Sequence, residues 1–259
     1  MKIGAMLNSF RRPTFAENLE AAASLGIDGV QFYVSDDLPD ETVKDYLTRI
    51  KDKGMVFSAL CGDIGGYDDP KANEEKVERF KRILNLSLKL ECGIVTTHIG
   101  KVPEPSENPQ KYEVMHNACK AIADHAASIG ATFAIETGPE KAPLLKKFLD
   151  DLDSKGIGVN LDPANLVMCS CDNAAAAAGV FGDYIVHTHA KDGISLGEGK
   201  WLEVPLGQGG VHFDEYLPAL HAAGFDGFLT IERECGDTPE KDIGLAVDFL
   251  RAMTQRYGI

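Results

Sequence analysis

The chain alternates short apolar, β-branched runs with longer amphipathic stretches, and this pair occurs eight times. Such alternation is typical of repeated βα units. The predicted strands cover residues 2–7, 28–33, 55–60, 93–98, 131–136, 157–162, 184–189 and 227–232. The predicted helices between them cover residues 14–25, 40–53, 71–91, 109–129, 141–154, 172–181, 213–223 and 238–256.

Four of the predicted strands end in a residue type that binds metal ions: Glu136, Asp162, His189 and Glu232. In an open sheet with strands about 4.8 Å apart, four neighbouring strand ends would spread over roughly 14 Å, too wide for one ion. In a closed barrel the side chains at the carboxyl ends of the strands point toward a common axis, where this fold places its active sites. We therefore expect one α/β domain, a (β/α)8 TIM barrel over residues 1–259, with a divalent-metal site at its mouth.

Strand alternation predicts which side chains lie one layer below that site. If the four strand-end residues point inward, so do Ala134, Asn160, His187 and Thr230. Three of these are polar. They either orient the metal ligands or form a hydrogen-bonded core cluster without any tuning role, and the sequence leaves both readings open.

Composition excludes several classes of partner. A net charge of −14 over 259 residues leaves no basic stripe for a phosphate backbone, which argues against nucleic acid. The apolar run at residues 3–7 is too short for a signal sequence, and no later run approaches the ~18 residues of a membrane span. The six cysteines are scattered, so no disulfide framework is expected. We expect a cytoplasmic protein with no membrane partner.

Six ordered segments carry a resemblance to a known family. They are THIG at 97–100, IETG at 135–138, NLDPAN at 160–165, HTHAKDG at 187–193, VPLGQG at 204–209 and TIERE at 230–234. In order and spacing they resemble the xylose-isomerase-like TIM barrels of the sugar phosphate isomerase/epimerase family, in the superfamily that also holds apurinic-site endonucleases. The resemblance covers essentially the whole chain. It is specific for the superfamily and weakly specific for the substrate.

The resemblance implies that Glu136, Asp162, His189 and Glu232 are the four metal ligands, with Glu136 and Glu232 also acting as acid and base. A divalent ion that bridges a ketose carbonyl and its neighbouring hydroxyl stabilises an enediolate. The implied function is a metal-dependent isomerase or epimerase of a small carbohydrate, a ketose or a sugar phosphate. A dehydratase or lyase acting on a keto-sugar or keto-inositol is the alternative, and a non-catalytic sugar-binding barrel is a third reading.

Departures from the family pattern limit what can be carried over. The ketose 3-epimerase branch has a substrate-contacting histidine where this chain has Asn165, and a second glutamate where it has Ala142. The run from His187 to Asp192 is similar to one in an inositol-catabolic dehydratase, which keeps dehydration open. The extra histidines that hold three zinc ions in apurinic-site endonucleases are missing, so DNA repair is not expected.

Substrate contacts are expected from His98, Lys191, Asn165 and Arg233, and Trp201 in the loop from 192 to 212 is expected to form an apolar wall over the pocket. The glycine run near 207–210 lies where barrels often bind phosphate, but without a basic neighbour it is better interpreted as a turn. Three carboxylates and an imidazole suit manganese, our expected ion, or magnesium, cobalt or zinc. The expected partner is a small carbohydrate, and the sequence leaves a homo-oligomer open.

Overall fold

Eight parallel strands close into a barrel in the computed structural model, which describes residues 1–259. The barrel strands are β1 (Lys2–Met6), β2 (Gly29–Tyr33), β3 (Val56–Cys61), β4 (Ile94–Thr97), β5 (Thr132–Glu136), β6 (Ile157–Leu161), β7 (Ile185–Ala190) and, after the hairpin strands β8 (Asp192–Gly197) and β9 (Lys200–Val204), β10 (Phe228–Ile231). The barrel closes because β1 pairs in parallel with both β2 and β10. In the pairing with β10, Gly4 lies opposite Thr230. The predicted (β/α)8 barrel is confirmed.

Nine helices accompany these strands. They are α1 (Phe15–Ser24), α2 (Asp40–Asp52), α3 (Pro70–Lys89), α4 (Pro109–Ile129), α5 (Ala142–Leu152), α6 (Pro163–Asn165), α7 (Ala174–Phe181), α8 (Phe213–Ala222) and α9 (Pro239–Tyr257). Helix α1 begins with a reciprocal cap, since the Thr14 hydroxyl accepts from Glu17 N and donates to the Glu17 carboxylate. Helix α4 ends at Gly130, which adopts the left-handed conformation with φ 74°. None of the helices combines the length and apolar composition needed to cross a bilayer.

All predicted barrel strands and their eight helices are present, with ends within two residues of the prediction. Two features differ. The predicted loop from 192 to 212 contains the antiparallel hairpin β8–β9, in which Ile194 pairs with Leu202. Its turn runs through three consecutive residues with positive φ, Gly197, Glu198 and Gly199. The segment after β6 forms the short helix α6 followed by a π-helical turn over Leu166–Ser170.

The apolar core forms one cluster of 63 buried residues. The barrel strands and the helices packed around them both contribute to it. The packing is tight enough to require glycine at specific points. A Cβ on Gly156, in the turn before β6, would lie 2.2 Å from Ala123 O and 2.3 Å from Ala127 N, both on α4. The backbone of this turn therefore lies directly against the outer helix.

We expect Gly156→Ala to lower the free energy of unfolding by roughly 1–3 kcal/mol, because the new methyl group must displace helix backbone. The matched control is Gly179→Ala in α7, where an added Cβ meets nothing within 4 Å. That change should leave stability unaltered or raise it by about 0.5–1 kcal/mol, since alanine is the better helix former. Urea unfolding of both variants measures the difference, and equal stability of the two would contradict this account of the packing.

Candidate metal centre at the barrel mouth

Four side chains converge at the carboxyl-terminal mouth of the barrel. Glu136 ends β5, Asp162 follows β6, His189 lies near the end of β7 and Glu232 follows β10. One ligand atom from each lies within 4.8 Å of the corresponding atom of every other. His189 Nδ1 is at the centre of the group, 3.4 Å from Glu136 Oε1, 3.5 Å from Asp162 Oδ2 and 3.3 Å from Glu232 Oε2. The structure thus brings together all four residues that the strand-end pattern singled out.

Two atoms of this group are buried without a hydrogen-bond partner, Asp162 Oδ2 and His189 Nδ1. A buried polar atom without a partner costs about 1–3 kcal/mol, so such atoms are rare unless something else satisfies them. Both are electron-pair donors of the kind that bind divalent cations, and both face the same small volume. The residues present therefore fit a metal ion.

The imidazole of His189 is held by Gln31, a buried residue of β2 on the far side of the barrel. His189 Nε2 lies 2.9 Å from Gln31 Oε1, and Gln31 Nε2 donates to Thr96 Oγ1 at 2.7 Å. A carbonyl oxygen can only accept, so Nε2 carries a hydrogen and Nδ1 is turned toward the carboxylates. Burial disfavours charge on His189, yet Glu232 and Glu136 raise its pKa well above the usual range.

Backbone and amide groups fix the two carboxylates on β5 and β6. Asp162 Oδ1 accepts from Ala164 N at 2.8 Å and from Asn165 N at 3.0 Å, and this cap leaves Oδ2 free. Glu136 accepts from Asn160 Nδ2 at 3.0 Å and from Asn165 Nδ2 at 3.1 Å. The structure therefore places Asn165 against a candidate ligand, outside the set of residues that line the cavity.

The polar side chains below the site include one that contacts a candidate ligand and one that belongs to a hydrogen-bonded core cluster, the two possibilities that the sequence left open. Asn160 contacts the candidate ligand Glu136 directly. His187 hydrogen-bonds no candidate ligand; its Nδ1 lies 2.9 Å from Asn160 Oδ1 and its Nε2 lies 2.9 Å from Thr230 Oγ1. Burial lowers the pKa of His187 well below its usual value. This histidine is therefore a neutral, hydrogen-bonded core residue.

Lys191 supplies a positive charge next to Glu232. Its Nζ lies 2.9 Å from Glu232 Oε2 and also bonds Glu234. Burial opposes the charge on Lys191, but Glu232 and Asp162 raise its pKa above the usual range. Burial likewise opposes the charge on Glu232, whose pKa is nevertheless lowered by His189 and Lys191. The pair is therefore ionised at neutral pH.

A cavity of about 540 Å³ opens above this cluster. Glu136 and Glu232 line it, whereas Asp162 and His189 do not and are almost fully buried beneath. Around the barrel the order is β10, β7, β6, β5, so Glu232 and Glu136 flank the two deeper residues. This arrangement leaves two carboxylates on opposite sides of the space where a substrate would bind.

His98 also lines the cavity, with 44% of its side chain exposed. Its Nε2 lies 3.4 Å from Glu136 Oε1 and its Nδ1 lies 3.2 Å from Asp63 Oδ2. Glu136 and then Asp63 raise the pKa of His98 to about 9. At neutral pH this imidazole is a charged donor that faces the cavity.

The two remaining sequence-predicted residues lie differently. Arg233 lines the cavity, but its Nη1 donates to Glu203 Oε1 at 2.5 Å and its Nε to Asp242 Oδ2 at 2.9 Å, which ties the hairpin β8–β9 to α9. Trp201 lies on β9, is 47% exposed and does not line the cavity. The hairpin, which the sequence analysis treated as a loop, holds the indole outside the site.

Sequence reasoning missed several residues of the site. Gln31 carried a usable signal, because a lone polar residue at an inward position of an otherwise apolar strand predicts a buried hydrogen bond. Glu203 and Glu234 carried none, because their roles depend on contacts between the hairpin and the loop after β10. Arg11 and Tyr33, which also line the cavity, looked like ordinary surface residues.

Comparison with known proteins places this architecture in a family. A crystal structure of a xylose isomerase domain protein from Planctomyces limnophilus is 25% identical, with a TM-score of 0.86 over 98% of this chain and 97% of that one. A probable 3-DHS dehydratase from Bacillus anthracis, AsbF, is 18% identical, with a TM-score of 0.80 over 97% and 99% of the two chains. A D-psicose 3-epimerase, studied with D-fructose, is 19% identical, with a TM-score of 0.77 over 98% and 99%. The last two similarities show the fold alone.

The family model described as xylose isomerase-like TIM barrel matches residues 19–253, nearly the full length of the chain. The chain belongs to the xylose isomerase-like TIM barrel family.

Proposed function

We propose that this protein is a metal-dependent isomerase or epimerase of a small carbohydrate, with an enediolate as its intermediate. The observation that carries the proposal is the four-residue cluster, in which two buried ligand atoms lack partners while the other two residues face the cavity. Membership of the xylose isomerase-like TIM barrel family and the fold shared with the epimerase named above support it. The cytoplasmic location and the single carbohydrate partner remain predictions from the sequence.

In this proposal Glu136, Asp162, His189 and Glu232 hold one divalent ion, and manganese remains our expected ion. When bound, such an ion withdraws charge from a ketone carbonyl and its neighbouring hydroxyl, and so acidifies the C–H bond between them. Gln31 and Asn160 keep the imidazole and the Glu136 carboxylate in position, which is what contacts behind metal ligands commonly do.

Glu136 and Glu232 are the proposed catalytic pair. Because they flank the cavity, one carboxylate can remove the proton from carbon while the other returns it from the opposite face, which inverts the carbon. Return to the adjacent carbon gives aldose–ketose isomerisation instead. Lys191 keeps Glu232 ionised and therefore ready to accept a proton. His98 is the proposed donor to a substrate oxygen, since it is charged and exposed to the cavity.

A dehydratase is the second candidate, and Glu234 is the observation that favours it. This carboxyl group lines the cavity, and burial together with the neighbouring Glu232 raises its pKa. A carboxyl group whose pKa is raised is a better proton donor to a departing β-hydroxyl. The structural similarity to a probable 3-DHS dehydratase agrees with this alternative.

Metal binding is tested by thermal unfolding. Manganese added to chelator-treated protein should raise the free energy of unfolding by about 2.7 kcal/mol when free ion reaches about 100 times the Kd, because the ion binds only the folded state. Asp162→Asn should abolish this gain. Asp63→Asn is the matched control, because Asp63 lies in the same cavity but outside the four-residue cluster, and it should keep the gain. Equal stabilisation of Asp162→Asn and the wild type would refute the site.

The reaction is tested in deuterated water with metal-loaded protein and a panel of ketoses. Deuterium next to the carbonyl without loss of water supports isomerase or epimerase chemistry, and a dehydrated product supports the second candidate. If neither deuterium incorporation nor a dehydrated product were found with any ketose of a broad panel, a non-catalytic sugar-binding barrel would be the remaining interpretation.

Glu232→Gln should lower the exchange rate by about 10²–10⁴-fold, the usual contribution of a general base, while the protein stays folded by circular dichroism. Glu91→Gln, an exposed carboxylate paired with Lys51, is the control and should exchange normally. Full exchange by Glu232→Gln would remove Glu232 from the mechanism.

A further inference from the structure

The carboxylate of Asp192, just after β7, is bound entirely by backbone N–H groups. Its Oδ1 accepts from Gly193 N at 2.9 Å and Val211 N at 3.0 Å, and its Oδ2 accepts from Gly207 N and Gly209 N, both at 2.9 Å. Asp192 is 1% exposed. Four donors directed at one buried carboxylate form an anion-binding nest of backbone groups. We call the backbone N–H groups of 193, 207, 209 and 211 the cradle.

The cradle belongs to one of the loops with which TIM barrels often bind the phosphate of a substrate. That site is formed by the loops after the last two barrel strands, of which the loop after β7 carries this cradle. Here the donors are already saturated by a side chain of the same chain. The loop is also wrapped closely around it, because a Cβ on Gly209 would lie 2.2 Å from Asp192 Oδ1. A phosphate group has neither donors nor space there.

Most of the basic side chains around the cavity also already have carboxylate partners. Lys191 pairs with Glu232 and Glu234, and Arg233 pairs with Glu203 and Asp242. His98 lies between Asp63 and Glu136.

Arg11 is the cavity-lining cation without a carboxylate partner. It uses Nη1 and Nη2 to hold the backbone carbonyls of Gly236 and Glu234. Four carboxylates, Asp63, Glu136, Glu232 and Glu234, line the same cavity. Against these the lining has three basic side chains, Arg11, His98 and Arg233, so it offers no net positive charge to a charged group of a substrate.

We infer that Asp192 is a built-in anion that fills the cradle in place of a substrate phosphate, and that the substrate is an uncharged polyhydroxy ketone. The second half of this inference rests on the proposed function, whereas the first half does not. This inference separates unphosphorylated ketoses and keto-inositols from sugar phosphates and from hydroxylated keto acids, all of which contain the carbonyl and hydroxyl that the chemistry needs.

Asp192→Ala tests the cradle without any substrate. Removing the side chain should leave four convergent donors, so inorganic phosphate should raise the melting temperature of the variant, in a saturable way, more than sodium chloride of the same ionic strength does. The wild type should show no such difference. Asp172→Ala is the matched control, because Asp172 also accepts from backbone N–H groups, at Ala142 and Asn173, but outside the cradle, and it should behave as the wild type.

A variant that is folded but indifferent to phosphate would overturn the cradle. Stabilisation of the wild type by phosphate, or inhibition of its deuterium exchange by phosphate, would also overturn the cradle. These wild-type measurements remain decisive even if Asp192→Ala does not fold.

The substrate class is tested by paired compounds, a ketose and its phosphate ester, in the deuterium-exchange assay. The uncharged member should have a kcat/KM higher by about 100-fold or more, the scale of discrimination that mismatched polar groups give. An ester that is turned over as well as its parent, or better, would overturn the inference. If neither member of any pair exchanged, the proposed function and the substrate class would fall together, while the phosphate response of Asp192→Ala would still decide the cradle.

Discussion

Repulsion among three carboxylates is the constraint on which the rest of the barrel mouth depends. Glu136, Asp162 and Glu232 place oxygens within 4.8 Å of one another, and Glu136 and Asp162 are buried. Two like charges about 4 Å apart repel by about 4 kcal/mol at the effective dielectric of such a site. Folding can hold them together only with positive charge among them. Lys191 supplies part of it, and a divalent ion bound to the unpaired atoms would supply the remainder.

The supporting contacts follow from that constraint, because each carboxylate must be held against its neighbours by groups that donate. Asp162 is fixed by the first backbone N–H groups of α6, and Glu136 by the amides of Asn160 and Asn165. Amides and backbone donors hold an anion without adding a charge that would compete with a metal ion. Of the three carboxylates, only Glu232 accepts a hydrogen bond from a lysine, next to the hairpin and the loop after β10.

The sequence could predict the centre because its geometry follows from strand periodicity. Parallel strands end at one face of the sheet, and alternation decides which residue points inward, so Glu136, Asp162, His189 and Glu232 could be found without coordinates. Contacts between elements distant in sequence could not be found in this way. Gln31 lies 158 positions from His189, and only barrel closure brings it to the imidazole. Arg233 and Trp201 depend on the hairpin β8–β9, where two glycines, which usually indicate a loop, instead form its turn.

The hairpin β8–β9 and the loop that follows it, residues 205–212, would also explain how the proposed metal centre is restricted to one kind of substrate. The proposed proton chemistry needs only the ion and the two carboxylates that flank the cavity, and it would act on charged and uncharged ketones alike. Discrimination must therefore come from the loops above. In this chain Glu203 and Asp242 hold the Arg233 guanidinium, and Asp192 occupies the backbone donors of the loop after β7. Each contact that holds these loops also occupies a donor that a charged substrate would require, so stability of the mouth and the selectivity that we infer for an uncharged substrate have the same physical origin.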